Sequence, residues 1–329
     1  MDEPGPPSTI PEASNRSRAL AVYGWILIAA GAICALVALL SAALLVLARS
    51  SPGGPPIAAG GVVFNVAFYL CLGAAFVAVG VGSIRARRWA RTLALILAWT
   101  WLAVGVLGFF AMALLLPGLL SSQSAGAPPG MLTCAMIFTL LLIAVFLILL
   151  PSLLILFYRR EDVRRTVELR NPNPDWTDRV PVSILGIVVA LAVGAVACVF
   201  SLATVRALPI FGVVLTGWAA AVVMLLFAAV SALLAVATFR RRRAAWWGLI
   251  AFQVLGLANI LTFRNLDMEK LMRQMGYSAD QARLSSGLNV IGSSAFLGLM
   301  AAAWVAMLVF LLAVRKHFGP NSAAESTSG

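Results

Sequence analysis

Eight stretches of 20 or more residues run through this chain with almost no charge, at about 19–48, 58–84, 90–116, 131–157, 180–205, 209–239, 244–263 and 287–314. At a rise of ~1.5 Å per residue each is long enough to cross ~30 Å of hydrocarbon as a helix. Eight such runs dictate an all-α, polytopic membrane protein. Composition agrees: 62% of residues are hydrophobic and 11% charged, against roughly a quarter charged in an ordinary soluble domain, which excludes a water-soluble globule.

The separators carry breaker chemistry: Ser51-Pro52-Gly53-Gly54-Pro55-Pro56, Pro117-Gly118 through Pro128-Pro129-Gly130, and Asn171-Pro172-Asn173-Pro174. Only Val205-Arg206-Ala207-Leu208-Pro209 divides the fifth run from the sixth, and without that break seven helices would remain. Residues 1–18, rich in Pro, Ser and acid, read as a disordered tail. The first run is too long for the core of a cleavable signal peptide and reads as a retained helix. The expected organisation is a tail over 1–18, a four-helix unit over 19–157, a linker over 158–179, a second four-helix unit over 180–314, and a disordered tail over 315–329. Within the linker, 158–170 reads as a solvated continuation of the fourth helix, with Thr166 after two arginines as a candidate phosphorylation site.

Orientation follows from the basic residues on alternate sides of the runs: 18 fall on the side of both termini and six on the other. The excess of Lys and Arg belongs to the cytoplasm, so both termini are expected there, in the inner (plasma) membrane. Tyr23, Trp25, Trp89, Tyr158, Trp176, Trp246 and Trp247 gather near that face, where amphipathic rings anchor at headgroup level. The net charge of +12 therefore reads as an attraction of the cytoplasmic Arg clusters for anionic lipid, and nucleic acid is not needed as a partner. Of the 24 basic residues only Lys270 and Lys316 are lysine, a bias that with abundant Ala and Gly suggests a GC-rich bacterial genome. Cys34, Cys71, Cys134 and Cys198 lie inside apolar runs without paired spacing and read as reduced core residues.

Arg85-Ala86-Arg87-Arg88-Trp89-Ala90-Arg91 opens the third helix, and Arg240-Arg241-Arg242-Arg243-Ala244-Ala245-Trp246-Trp247 opens the seventh. This parallel fits either a tandem 4+4 repeat, whose halves would be related by an axis along the membrane normal, or two short Arg-rich turns of similar composition. The first turn, together with Trp176-Thr177-Asp178-Arg179-Val180-Pro181 before the fifth helix, resembles uncharacterised bacterial multi-pass inner-membrane proteins with an Arg-rich helix entrance of this type. That resemblance implies class and compartment and supplies no active residues.

No Asp, Glu, Lys, Arg or His lies in the middle of any run, which argues against proton relays, ion-coupled transport and voltage sensing. With His317 the only histidine, a two-His haem site or a Ser-His-Asp triad cannot form within one chain, and neither an enzyme nor a cofactor is expected. Small residues at Ala74, Ala78 and Gly82, and at Gly194 and Cys198, read as helix-packing faces. Uncharged polar residues are few. Asn65, Tyr69, Gln253, Asn259 and Asn289 lie mostly in the outer half of their helices, with Gln253 near the middle of its own, either as interhelical hydrogen bonds or as the wall of an outward-opening ligand vestibule. Between the last two runs, Met268, Leu271, Met272 and Met275 form one apolar stripe, which predicts an amphipathic helical lid over 264–286 with a second short helix after Ser278. Three thioethers could also take Cu(I), but no His or Cys accompanies them. The expected function is a scaffold or partner-binding subunit. A transporter or binding protein for a neutral or amphipathic ligand is the alternative.

Overall fold

The computed structural model describes residues 17–50, 59–123, 129–202, 207–274, 279 and 293–318. Eight helices in it are long and apolar enough to cross a membrane, so the chain is a multi-pass membrane protein of all-α type. In chain order the elements are α1 (Ser17–Ser50), α2 (Ala59–Ile84), α3 (Arg88–Gln123), α4 (Pro129–Ala144) and α5 (Leu150–Tyr158). There follow α6 (Glu161–Arg170), α7 (Val182–Ser201), β1 (Ala207–Ile210), β2 (Val213–Thr216), α8 (Gly217–Phe239), α9 (Arg243–Thr262), α10 (Met268–Gln274) and α11 (Ser294–Val314). α4 and α5 form one span, joined by a π-turn at Val145–Leu149.

α1 and α2 are packed backbone to backbone. A Cβ added at Gly24 would lie 2.8 Å from the Gly80 carbonyl oxygen, and one at Gly31 would lie 2.8 Å from that of Gly73. The reciprocal distances are 2.7 Å from Gly80 to Gly24 and 3.0 Å from Gly73 to Gly31. Glycines seven apart on both helices thus set the approach, because lipid supplies little hydrophobic drive for helix association and close van der Waals contact replaces it. This corrects the expected small-residue stripe: Ala74 and Ala78 are exposed, Gly82 packs on Trp89 and Ala90, and a Cβ added at Gly194 would meet nothing within 4 Å.

The π-turn has a readable cause. Pro151 has no N–H for the Leu147 carbonyl four residues back, and its ring crowds that oxygen. Leu150 N–H donates instead to Val145 O, five residues back, and Ser152 Oγ donates to Ile148 O at 2.6 Å. The displaced Leu147 carbonyl faces Gly105 of α3, where a Cβ would collide with its oxygen.

Between α7 and α8 the apolar run does not continue as helix. β1 and β2 pair antiparallel with Ile210 opposite Val213, and the two-residue loop has positive φ at Phe211 (47°) and Gly212 (79°), as a hairpin of type I′ requires. The sixth membrane helix therefore starts at Gly217 rather than at residue 209. Pro209 and the β-branched Val213 and Val214 suit strand better than helix. An open two-stranded ribbon leaves edge groups that hydrocarbon cannot satisfy, so it belongs at the membrane surface.

Two buried clusters form the core. One joins α1, α2, α3, α5 and α6 through Leu20, Leu27, Phe76, Tyr158 and Val163; the other joins α7, α9 and α11 through Ile184, Leu185, Trp246, Leu249 and Leu311. Ile96 of α3 belongs to the second, so α3 links them. One pairing pattern recurs along the chain: α1 lies along α2 as α7 lies along α8, and α3 along α5 as α9 along α11. The cysteines are free and not all core: Cys71 and Cys134 are exposed.

Candidate functional site

The side chains with chemistry to offer gather at the Arg-rich end of the bundle. Its frame is two turns with the same backbone hydrogen bonds. After α2, Ala86 takes φ 49°, its N–H donates to Ser83 O at 2.9 Å, and Arg87 N–H donates to Gly82 O at 2.8 Å. After α8, Arg241 takes φ 52°, its N–H donates to Thr238 O at 2.9 Å, and Arg242 N–H donates to Ala237 O at 3.2 Å. Both are Schellman endings with a non-glycine residue in the left-handed position. The same offset relates Ser83 to Thr238, Ala86 to Arg241, Arg88 to Arg243 and Arg91 to Trp246.

That correspondence extends to side chains. Arg91 Nε donates to Tyr158 O at 3.1 Å, and Trp246 Nε1 donates to Leu311 O at 2.9 Å, each reaching from the helix that follows its turn toward the end of the helix packed on it, α5 and α11 respectively. Ser83 and Thr238 are both buried; Ser83 Oγ shares a 2.5 Å hydrogen bond with the Tyr158 hydroxyl, whereas the Thr238 hydroxyl has no partner among the described residues. Tyr158 and Trp246, expected as headgroup anchors, are core residues instead, and Tyr23 stacks on Phe157 with ring centroids 3.8 Å apart. Trp25, Trp176 and Trp247 are exposed as expected of anchors.

The linker closes over the first turn. Arg88 donates through Nε to Asn171 O (2.5 Å), through Nη2 to Pro172 O (3.1 Å) and through Nη1 to Asp178 Oδ2 (3.2 Å). Asp175 accepts from Trp89 N–H at 3.3 Å at the start of α3, and Asp175 and Asp178 form a capping box around the 3₁₀ turn Trp176–Arg179. The two sequence motifs singled out above thus lie against each other, and a guanidinium fork with three acceptors in different directions holds them. Arg241 Nη2 donates to Arg179 O, tying the second turn to the same linker.

α6 is not a solvated extension of the fourth helix. The chain breaks at Arg160, which is extended (ψ 140°), and α6 folds back on the bundle with Val163, Thr166 and Val167 buried. Its outer side carries the pairs Arg164–Glu168 (2.7 Å) and Arg165–Glu161 (2.9 Å). Glu168 holds the Arg164 guanidinium above its ordinary pKa by hydrogen bond and charge. Thr166 Oγ1 donates to Asp162 O at 2.7 Å and is covered, which removes the ground for reading it as a phosphorylation site.

At the opposite end the candidate vestibule residues lie in separate contacts. Asn65 Oδ1 accepts from Ser41 Oγ at 3.1 Å, between α2 and α1. Gln253 Nε2 donates to Trp304 O at 3.2 Å, between α9 and α11. Asn259 Oδ1 accepts from Phe211 N–H at 2.7 Å and so pins the hairpin turn to α9. Tyr69 meets Phe68 edge to face, and Asn289 lies outside the described residues. Of the candidate lid, Leu271 is buried and Met272 half-buried, while Lys270 and Arg273 are exposed. Asp267 caps this helix by accepting from Lys270 N–H at 3.1 Å, and Glu269 pairs with Arg273. Met275 and the second short helix lie outside the described residues, as does the Met268 side chain.

Sequence reasoning missed the clamp on Arg88, the Ser83–Tyr158 pair and a cavity of about 520 Å³ lined by Arg243, Trp246, Trp247, Leu312, Arg315 and Lys316. A signal for the cavity existed in the recurrence of basic and aromatic residues at the start of α9 and the end of α11. Residues this distant in the chain could not be paired without the fold. No protein family, curated protein or solved structure matches the chain.

Proposed function

We propose that the protein is a non-enzymatic scaffold or partner-binding subunit of a bacterial inner membrane, with both termini and the Arg-rich end in the cytoplasm, where anionic lipid and a protein partner meet it. One observation carries this reading: the polar side chains within the helices are engaged in holding neighbours together. Asn65 serves α1–α2, Gln253 α9–α11 and Asn259 the hairpin, each in a hydrogen bond worth ~0.6 kcal/mol. The folded linker with α6 is the surface on which a partner would rest. The matching turns and helix pairings support a tandem 4+4 repeat.

A transporter or binding protein for a neutral or amphipathic ligand is the second reading, favoured by the inward-turned Leu271 of α10, which suits a lid. Thiol labelling separates the two. In a background with Cys34, Cys71, Cys134 and Cys198 replaced by Ala, a Gln253→Cys variant in sealed vesicles should stay unlabelled by a charged maleimide under the scaffold reading. Labelling comparable to that of an exposed control at Lys270→Cys would establish a water-filled chamber and overturn it.

A further inference from the structure

The two corresponding turns differ in what covers them. Over the first, Asp178 meets the Arg88 guanidinium and Asp175 caps the start of α3, so the chain itself supplies the negative charge. Over the second, Arg243 stands where Arg88 stands, no side chain caps α9, and among the described residues no carboxylate lies within 4.0 Å of Arg243, Arg315 or Lys316. These three cations line the cavity of about 520 Å³, with Trp246 and Trp247 as its aromatic wall and Leu312 and Phe318 as its apolar part. The Arg315 guanidinium is held over the Trp246 ring at 5.2 Å, and that ring is fixed in turn by its bond to Leu311 O. Arg315 is thus positioned by the ring, and Arg243 and Lys316 stand exposed beside it on the cavity wall.

We propose that this cavity binds the phosphate headgroup of an anionic phospholipid, in the role that the Asp175–Asp178 turn fills in the other half. A phosphate oxygen set can accept from Arg243, Arg315 and Lys316 together, as a carboxylate accepts from Arg88. The source is lipid rather than free phosphate for two reasons. The cavity sits at the ends of two membrane spans, Arg243–Thr262 and Ser294–His317. Below it Val305, Val309 and Leu312 of α11 are exposed at i, i+4 and i+7, an apolar track on one helix face along which an acyl chain can lie. This deepens the lipid part of the proposed reading and rests on the membrane spans, not on the scaffold assignment.

The test is native mass spectrometry of the full chain released from nanodiscs of mixed phosphatidylglycerol and phosphatidylcholine. The parent should retain phosphatidylglycerol selectively. A variant carrying Arg243→Gln, Arg315→Gln and Lys316→Gln should retain ~10- to 100-fold less, since it loses the charge-assisted hydrogen bonds that converge on one phosphate. Arg85→Gln, Arg87→Gln and Arg159→Gln remove the same charge from exposed positions at the same end and should change retention little. A charge-keeping Arg243→Lys, Arg315→Lys variant should hold lipid and so separates loss of the site from loss of the fold. Equal loss in both Gln variants would overturn the proposal in favour of diffuse attraction. Displacement of the lipid by millimolar inorganic phosphate, or retention that appears only after residues 319–329 are removed, would overturn it in favour of free phosphate or the chain's own tail.

Discussion

The apposition of Gly105 and Pro151 offers a sharp test of the packing logic. A Gly105→Ala methyl would run into the Leu147 carbonyl oxygen and stand 3.0 Å from its carbonyl carbon, where an ordinary contact begins near 3.4 Å. α4–α5 would have to withdraw by about 1 Å along a main-chain contact that cannot rotate away, an overpacking that costs ~1–3 kcal/mol or more. Replacing a mid-helix Gly by Ala returns only ~0.5–1 kcal/mol, so the variant should lose ~1–2 kcal/mol net. Pro151→Ala restores an N–H to which Leu147 O can bond and draws the carbonyl back toward its own helix. In that background Gly105→Ala should be tolerated, with a coupling of ~1–2 kcal/mol in the double-mutant cycle. Reversible unfolding in mixed micelles measures all four proteins. Additivity within ~0.5 kcal/mol, or a Gly105→Ala protein as stable as its parent, would refute the account of the π-turn.

Gly31→Ala should destabilise by ~1–3 kcal/mol because its methyl meets Gly73 O at 2.8 Å, whereas Gly194→Ala, with nothing within 4 Å, should be neutral or slightly stabilising in the same assay. Arg88→Lys keeps the charge but loses the fork, so hydrogen exchange over 171–179 should accelerate at least tenfold, as loss of ~1.5–3 kcal/mol of charged hydrogen bonding requires; unchanged exchange would remove Arg88 as the clamp. Reporter fusions at Gly54, Gln123 and Ser278 should read the outer side and those at Arg88, Asn173 and Arg242 the cytoplasm, and one swapped pair would sink the orientation. Leu271→Lys places a charge where α10 is buried and should raise proteolysis of 264–286, while exposed Lys270→Glu should not.

The class of the molecule and the extent of most of its spans are legible in local composition. Apolar length is a local property, and a helix in lipid satisfies its backbone within its own segment, so each run could be read without its neighbours. Breakers were equally local at 51–56 and 171–174. Where two local tendencies compete, composition does not decide: 207–216 is apolar enough for a span, yet Pro209 and a left-handed Phe211-Gly212 pair turn it into a hairpin that Asn259, far away in the chain, completes. Tertiary structure alone decided the rest. Gly24 and Gly31 are unremarkable glycines until Gly80 and Gly73 are set opposite them, and Arg88 is one of many arginines until the linker folds back to offer three acceptors. Arg243 and Arg315 share a cavity only because α9 and α11 end side by side. Helix existence is encoded over about 20 residues, but which faces meet depends on shape and hydrogen-bond complementarity between segments that no window along the chain contains together.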